Sequence, residues 1–417
     1  MSNLSAFVRV LPPMKSGQEL VEALKILPEY SPDIIHADIP TRLMALSDLY
    51  RIYLPSQMSL EIYSKLYLSL LRSLQKKGTK LAVQQRYENN RAIQQQSYSG
   101  ILGGSDSYTI IGVSGIGKSS AISRAISLIT ENRVIEVEHP YCKIIPCLIV
   151  QCPFDSSVKG LLLEILRKAD EELGTSYYHH AVRSRASTAD VLIGTVSTIA
   201  LNHIGLLVVD EIQNIANSKN GKSLVGVLTQ LINNSGISIC MVGTNESTVF
   251  FEQALQLARR SLGLQYNRLE YDQYFHDFCC TLFEYQYVKN RAEITDGIIE
   301  WLYEHSGGII SVVVSLIHDA QELAILNGTE VLDMDTLHEA YQKRLTLLHN
   351  YLDPTIKRNI QSGKRKVKTS DEPPPVAVQM AVNEGVSIND LVLDAKKSGT
   401  DIVEALKQYM TVVEVMV

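Results

Sequence analysis

Gly112-Val-Ser-Gly-Ile-Gly-Lys118-Ser119 decides the fold class of this 417-residue chain. The stretch fits the phosphate-loop pattern G-x-x-x-x-G-K-[ST] at every fixed position. Its flanks agree with that reading. Tyr108-Thr109-Ile110-Ile111 ahead of it is apolar and rich in strand formers, and residues 120–130 behind it place Ile122, Ile126 and Ile129 at helical spacing. A strand therefore runs into a glycine-rich turn and then a helix. Gly112, Gly115 and Gly117 let backbone N–H groups curl around phosphate oxygens, and Ser120 opens the helix behind them. Lys118 is placed to reach the β- and γ-phosphates, and the Ser119 hydroxyl to hold Mg²⁺. The stretch predicts binding of a nucleoside triphosphate, ATP, with Mg²⁺.

Two further strand ends turn binding into hydrolysis. Leu206-Leu207-Val208-Val209-Asp210-Glu211 is a buried-strand run that finishes in two carboxylates. Asp210 is the candidate Mg²⁺ ligand and Glu211 the group that orients and polarises the attacking water. Ile237-Ser-Ile-Cys-Met-Val242 is a third strand, and Thr244 or Asn245 beyond its tip can hydrogen-bond the γ-phosphate or the water. Downstream, Arg259 and Arg260 close a helical stretch. They fit an arginine finger reaching a neighbouring subunit's nucleotide, or a solvated basic helix end steadied by the macrodipole. Phosphate loop, acidic strand, polar strand tip and arginine follow one another as in AAA+ ATPases. Gly307-Gly308 then opens a helical segment that resembles the lid of that family. Residues 309–314 contain no cation where the lid arginine stands. Either the lid senses nucleotide differently or hydrolysis is slow.

Composition excludes other classes. With 45% hydrophobic and 20% charged residues the chain reads as an ordinary globular protein with room for two or three domains. No run of eighteen apolar residues suggests a membrane span, and the first twelve residues lack the features of a secretory signal, which predicts a cytoplasmic protein. Six cysteines without metal-ligand spacing read as reduced core thiols. A net charge of −6 argues against coating nucleic acid through bulk charge and leaves room for local basic patches.

The chain divides into four stretches. Residues 1–97 hold two amphipathic patterns. In the first, Thr41 is the N-cap and Leu43, Leu46, Leu49 and Ile52 share a face. The second spans 58–74 and is rich in Tyr and Leu. Together they carry more apolar surface than a linker needs and suggest a partner-docking region, with a structural extension as the alternative. Lys76, Lys77 and Lys80, like the basic residues of 86–91, read as solvated helix. Residues 98–271 form the α/β nucleotide core, a parallel sheet flanked by helices; 272–349 the helical lid; and 350–417 a basic, proline-containing linker with a helical tail. Within the core, Lys159 at a helix start, Thr175, Arg183 and Arg185 make a basic, hydroxyl-rich strip suited to DNA phosphates, or are ordinary surface groups.

Gln151-Cys-Pro-Phe-Asp-Ser-Ser-Val-Lys-Gly-Leu161, Leu173-Gly-Thr-Ser-Tyr177, the phosphate loop and Val209-Asp-Glu-Ile212 together resemble TnsC. That family holds the AAA+ target-selection ATPases of Tn-type and CRISPR-associated transposons, relatives of TniB, IstB and phage Mu B protein. Ile39-Pro-Thr-Arg-Leu to Leu54-Pro55 is similar to the N-terminal part of its longer members. The resemblance implies a bacterial protein that assembles on double-stranded DNA as an ATP-bound homo-oligomer, ring or helical filament. It further implies a signal from a TniQ- or TnsD-type targeting protein and recruitment of transposase, a TnsB-type subunit with or without a TnsA-type one. By position it assigns Lys159 and Thr175 to the DNA backbone, and Lys118, Ser119, Asp210 and Glu211 to the nucleotide. Arg259 and Arg260 match the inter-subunit arginine region, where spacing varies. An origin-recognition or helicase-loading ATPase, and a STAND-type signalling NTPase, share the core motifs. The first would add a winged helix after the lid and the second a repeat array, and neither pattern is visible in the sequence.

Overall fold

In the computed structural model, residues 6–95, 107–130, 133–138, 141–183, 188–216, 221–248 and 263–345 are described. The expected linker and tail at 350–417, and Arg185, Arg259 and Arg260, lie outside them. Six strands form one sheet: β1 Tyr108–Gly112, β2 Ile135–Glu138, β3 Tyr141–Gln151, β4 Ile204–Asp210, β5 Ser238–Gly243 and β6 Leu264–Tyr266, in the order β2-β3-β4-β5-β1-β6. All neighbours run parallel except β2, which pairs antiparallel with β3 as an edge ribbon that the periodicity did not announce. The chain leaves β1 for the far side of the sheet and returns strand by strand. The carboxyl ends of β1, β5 and β4 therefore lie side by side, where open α/β sheets hold their ligands.

Strand side chains alternate between two cores, as the period of two requires. Leu207, Val209, Ile239 and Met241 enter a cluster with Leu162, Ile165 and Leu166 of helix Val158–Leu173 and with Val196 and Leu228 of two neighbouring helices. Leu206, Val208, Cys240 and Val242 face the other way. There they meet the phosphate-loop helix Lys118–Ile129 and, beside it, Ile62, Leu66, Leu70 and Leu74 of helix Gln57–Lys77. The N-terminal stretch is thus one of the layers of the core. Burying each aliphatic side chain of this kind stabilises by about 1.5–3 kcal/mol, so the sheet's second face depends on it.

The apolar face expected to await a partner is also consumed within the chain. Leu46, Leu49 and Ile52 are buried among lid residues, with Leu43 packed against them. The reason is polar as well as apolar. Arg42, 1% exposed, donates from Nη1 and Nη2 to both oxygens of Glu330 at 2.7 and 2.8 Å, and from Nη1 to the Tyr287 carbonyl at 3.0 Å. Amphipathicity says that a face is covered and not by what. The local helix reading shifts too: Asp38, not Thr41, is the N-cap, accepting from Thr41 N, and the pattern breaks into helix Ile39–Ala45 and a 3-10 turn Leu46–Arg51. All the described residues fall in one compact unit, which runs across the expected boundaries at 97/98 and 271/272.

Lid helices Gln273–Glu284, Asp296–Ser306, Ile310–Asn327 and Met334–Arg344 share the second cluster. Among the described residues, Ile310–Asn327 alone has the length and hydropathy of a membrane span; it is the central helix of this cluster, burying Val313, Leu316, Ile317 and Ala320. All six cysteines are unpaired, and burial pushes the Cys147 and Cys152 thiols up to about 12.

Lys77 corrects the reading of its neighbourhood as solvated. It is 3% exposed and its Nζ donates to the Ala200 and Leu201 carbonyls at 2.6 Å each, capping the end of helix Ala189–His203. Arg86 likewise donates to Asn202 Oδ1. Burial lowers the Lys77 ammonium from an ordinary 10.5 to about 7. Above that pH the unfolded chain binds the extra proton, so this group adds stability as pH rises from about 7 toward 10, by up to about 1.4 kcal/mol per pH unit. Lys77→Met should lack that slope. In urea unfolding across this range, the difference between parent and variant should move in the parent's favour with pH; a constant difference would mean that Lys77 is hydrated.

Candidate nucleotide site

Gly117 at φ +94 caps helix Lys118–Ile129, and Gly115 sits at φ +82, both in the left-handed region where a Cβ is disfavoured. The loop they form closes over the end of β1. Lys118 is folded inward, its Nζ 2.9 Å from the carbonyl oxygens of Gly112 and Val113, to which it donates. Burial lowers its pKa, and Asp210 and Glu211 oppose the shift. Across the sheet end the Ser119 hydroxyl donates to Asp210 Oδ2 at 3.2 Å. A hydroxyl and a carboxylate brought together from a helix start and a strand end are the donor set a hard divalent cation prefers, so the residues present fit Mg²⁺.

These groups line a cavity of 260 Å³ with Ser120, Glu211, Gln213, Gly243, Thr244 and Ser311. The Thr244 Oγ1 is buried and has no hydrogen-bond partner among the described residues, which is the condition of an atom kept for a ligand. Asn245, named with it, is exposed, opens the turn Asn245–Ser247 and stands outside the cavity lining. Glu211 is exposed at φ +58, a backbone state that costs a residue with a side chain roughly 1–3 kcal/mol. Its N–H donates to Asp210 Oδ1 at 2.8 Å.

Two features escaped the sequence reading. A second cavity, 680 Å³, adjoins the first through Gly115, Gly117, Ser119, Ser120 and Ser311. Its walls come from three distant parts of the chain: Ile52 and Tyr53 of the N-terminal stretch, Ser123 and Arg124 behind the loop, and Tyr274, Phe278 and Val314 of the lid. No local motif could announce it. The other is Ser311, whose N–H donates to the Gly115 carbonyl at 3.0 Å, setting the lid helix on the phosphate loop where a cation was missed.

The strip assigned to DNA is drawn out. Lys159 is exposed in the first turn of helix Val158–Leu173, and neither hydrogen bond nor ion pair engages it among the described residues. Thr175 lies beyond the other end, after the left-handed cap Gly174, about 24 Å away at the helical rise. Its hydroxyl donates to Asp170, which also accepts from Tyr177 and Tyr178 N–H. Arg183 is exposed at the end of helix Tyr177–Arg183. The loop before Lys159 is firmly held: Ser156, at φ +51 and fully buried, donates to the Asn214 carbonyl at 2.7 Å, and Asn214 Nδ2 donates to the Cys152 carbonyl at 3.0 Å.

Residues 104–270 match the family described as Bacterial TniB protein. The matched stretch is less than half of the chain and holds the phosphate loop and the ends of β4 and β5, so the core is similar to TniB in sequence and has the parallel α/β architecture of a P-loop fold. No curated protein matches the chain in sequence. Solved structures with a similar fold include the Aeropyrum pernix ORC1 protein in complex with DNA, at 15% identity and TM-score 0.40 over 61% of this chain and 64% of that one. Drosophila ORC bound to DNA matches at 12% and 0.45, over 97% and 83%. Domain III of the Thermotoga maritima replication initiation protein DnaA matches at 12% and 0.35, over 66% and 94%. These are likenesses of fold alone.

A Cβ at Gly115 would overlap Ser311 Oγ and lie 2.9 Å from Ile309 Cγ2, besides straining the positive φ. Gly115→Ala should lift the lid helix from the loop and weaken binding of a fluorescent ATP analogue at least about tenfold. Gly226→Ala, where a Cβ meets nothing within 4 Å, should leave affinity unchanged. Equal affinities for the two variants would detach the lid from nucleotide binding.

Proposed function

We propose that this chain, built on a TniB-like AAA+ ATPase core, is an ATP-dependent regulator of transposition in a bacterial cytoplasm. It assembles as a homo-oligomer, ring or filament, on double-stranded DNA, takes a signal from a TniQ- or TnsD-type targeting protein and recruits transposase. The observation that carries the ATPase part is the convergence of Ser119, Asp210, Glu211 and Thr244 on one cavity at the sheet end. An origin-recognition or helicase-loading ATPase would share that cavity, and the TniB match over residues 104–270 favours transposition.

In this reading the phosphates lie on the loop N–H groups of 112–119 and the nucleoside enters the 680 Å³ cavity between N-terminal stretch and lid. Lys118, released from the Gly112 and Val113 carbonyls, moves its charge to the β- and γ-phosphates. Ser119 and Asp210 would hold Mg²⁺, which when bound neutralises charge on the phosphate oxygens. Glu211 takes the proton of the attacking water and Thr244 donates to the γ-phosphate. Ser311 offers the lid's contact as a hydroxyl, without the charge of an arginine, in keeping with slow turnover. Arg259 or Arg260 would complete the site of a neighbouring subunit. Lys159 and Arg183, exposed and cationic, meet DNA phosphates at separate points, with Thr175 at the Arg183 end of the strip. The apolar face of the N-terminal stretch lends no support to a docking region, since lid and sheet cover it.

Glu211→Gln should keep ATP affinity while hydrolysis falls by about 100-fold or more, leaving an ATP-bound assembly, whereas Lys118→Ala should lose both. Phosphate release and analogue binding measured on the same preparations check this, and parental turnover by Glu211→Gln would remove the role given to it. For DNA, Lys159→Ala should weaken binding equally across sequences and lower the slope of log K against log salt by about one. An unchanged slope would move the phosphate contact elsewhere.

A further inference from the structure

We propose that Gln213 is the positioning residue that sets the Glu211 carboxylate for its work on water, an inference that rests on the ATPase reading above. Glu211 needs such a partner. Its side chain is exposed, and its left-handed backbone at φ +58 aims it off the line of β4, so nothing in the strand fixes its rotamer. Gln213 Nε2 donates to Glu211 Oε2, which leaves Oε1 free to accept from water. The tether is itself anchored. Gln213 Oε1 accepts from the Thr244 N–H at 3.2 Å, so one amide spans the ends of β4 and β5.

The space around the amide is made for it. A Cβ at Gly243 would lie 2.5 Å from Ser247 Oγ, 2.6 Å from Ile212 Cγ2 and 3.0 Å from Gln213 Oε1, so the glycine there gives the amide its room against the β5 backbone. Gln213 also lines the 260 Å³ cavity with Glu211 and with Thr244, whose buried hydroxyl lacks a partner among the described residues. The water-activating carboxylate and the group facing the γ-phosphate are thereby held at a fixed separation by one side chain. A neutral amide donor orients the carboxylate without protonating it, so Glu211 remains a base.

Gln213→Glu isolates the tether. It keeps the shape and the oxygen that accepts from Thr244 N–H, and replaces only the donor by an oxygen that repels Glu211. Steady-state ATP hydrolysis with Mg²⁺ and double-stranded DNA should show kcat down about 10- to 100-fold, with KM and analogue affinity within about twofold of the parent. Gln213→Ala should lose a similar factor in kcat, again with KM little changed. Turnover at or above the parental rate in either variant, or a loss carried by KM and not by kcat, overturns the tether. If Gln213→Ala fails to fold, the near-isosteric Gln213→Glu decides alone. A parent that does not hydrolyse ATP overturns the ATPase reading and the tether with it, whereas an active parent that loses activity on Glu211→Gln and not on Gln213→Glu overturns the tether only.

Discussion

A parallel sheet has to be dry on both faces, and in this chain that requirement recruits the N-terminal stretch. Strands β1, β4 and β5 are apolar on both sides, so each must find a helical layer above and below. One layer comes from helices between the strands. The other needs Gln57–Lys77, which lies beside the phosphate-loop helix and buries Ile62, Leu66, Leu70 and Leu74 against Leu206, Val208 and Val242. Ser238 Oγ donates to the Ser69 carbonyl across the same junction. Everything at the carboxyl ends of the strands stands on this double covering.

From there the chain continues the enclosure outward. Past the helix's own N-cap at Ser56, the preceding turn runs beneath the lid, with Leu46, Leu49 and Ile52 inside the lid's core and Arg42 locked on Glu330. A buried ion pair of this kind loses more by breaking than it gains by forming, so its value lies in fixing one arrangement of stretch and lid. That arrangement leaves the 680 Å³ cavity against the phosphate loop, and Ser311 seats the lid on Gly115. Nucleotide entering there would touch all three parts at once, which gives any lid movement a direct route to the N-terminal stretch.

At the strand ends, strain and hydrogen bonding work together. Glu211 and Ser156 both occupy left-handed backbone, Glu211 bonded to Asp210 beside it and Ser156 to the Asn214 carbonyl of another segment. The turn 211–214 is bonded forward to Thr244 through Gln213 and sideways to the Cys152–Ser156 loop through Asn214. The loop that precedes Lys159 and the turn that carries Glu211 are therefore joined by a short series of hydrogen bonds.

The sequence by itself determined what contiguous residues can encode. The phosphate loop, the Asp210-Glu211 strand end and the alternation of β4 and β5 are local patterns whose chemistry follows from residue type and spacing, and Ser119 meets Asp210 as those patterns imply. Amphipathic spacing also found the faces of 43–52 and 58–74. Only the tertiary structure decided what covers them, because periodicity reports that a face is dry and carries no address for its partner. The same holds for Lys77, which looks like any surface cation until helix Ala189–His203 ends at its ammonium. It holds for Gln213, whose anchor at Thr244 lies past the end of another strand, and for the 680 Å³ cavity, whose walls come from three separated segments. Contacts between residues far apart in the chain are set by how layers stack, and that is fixed only when the whole core closes.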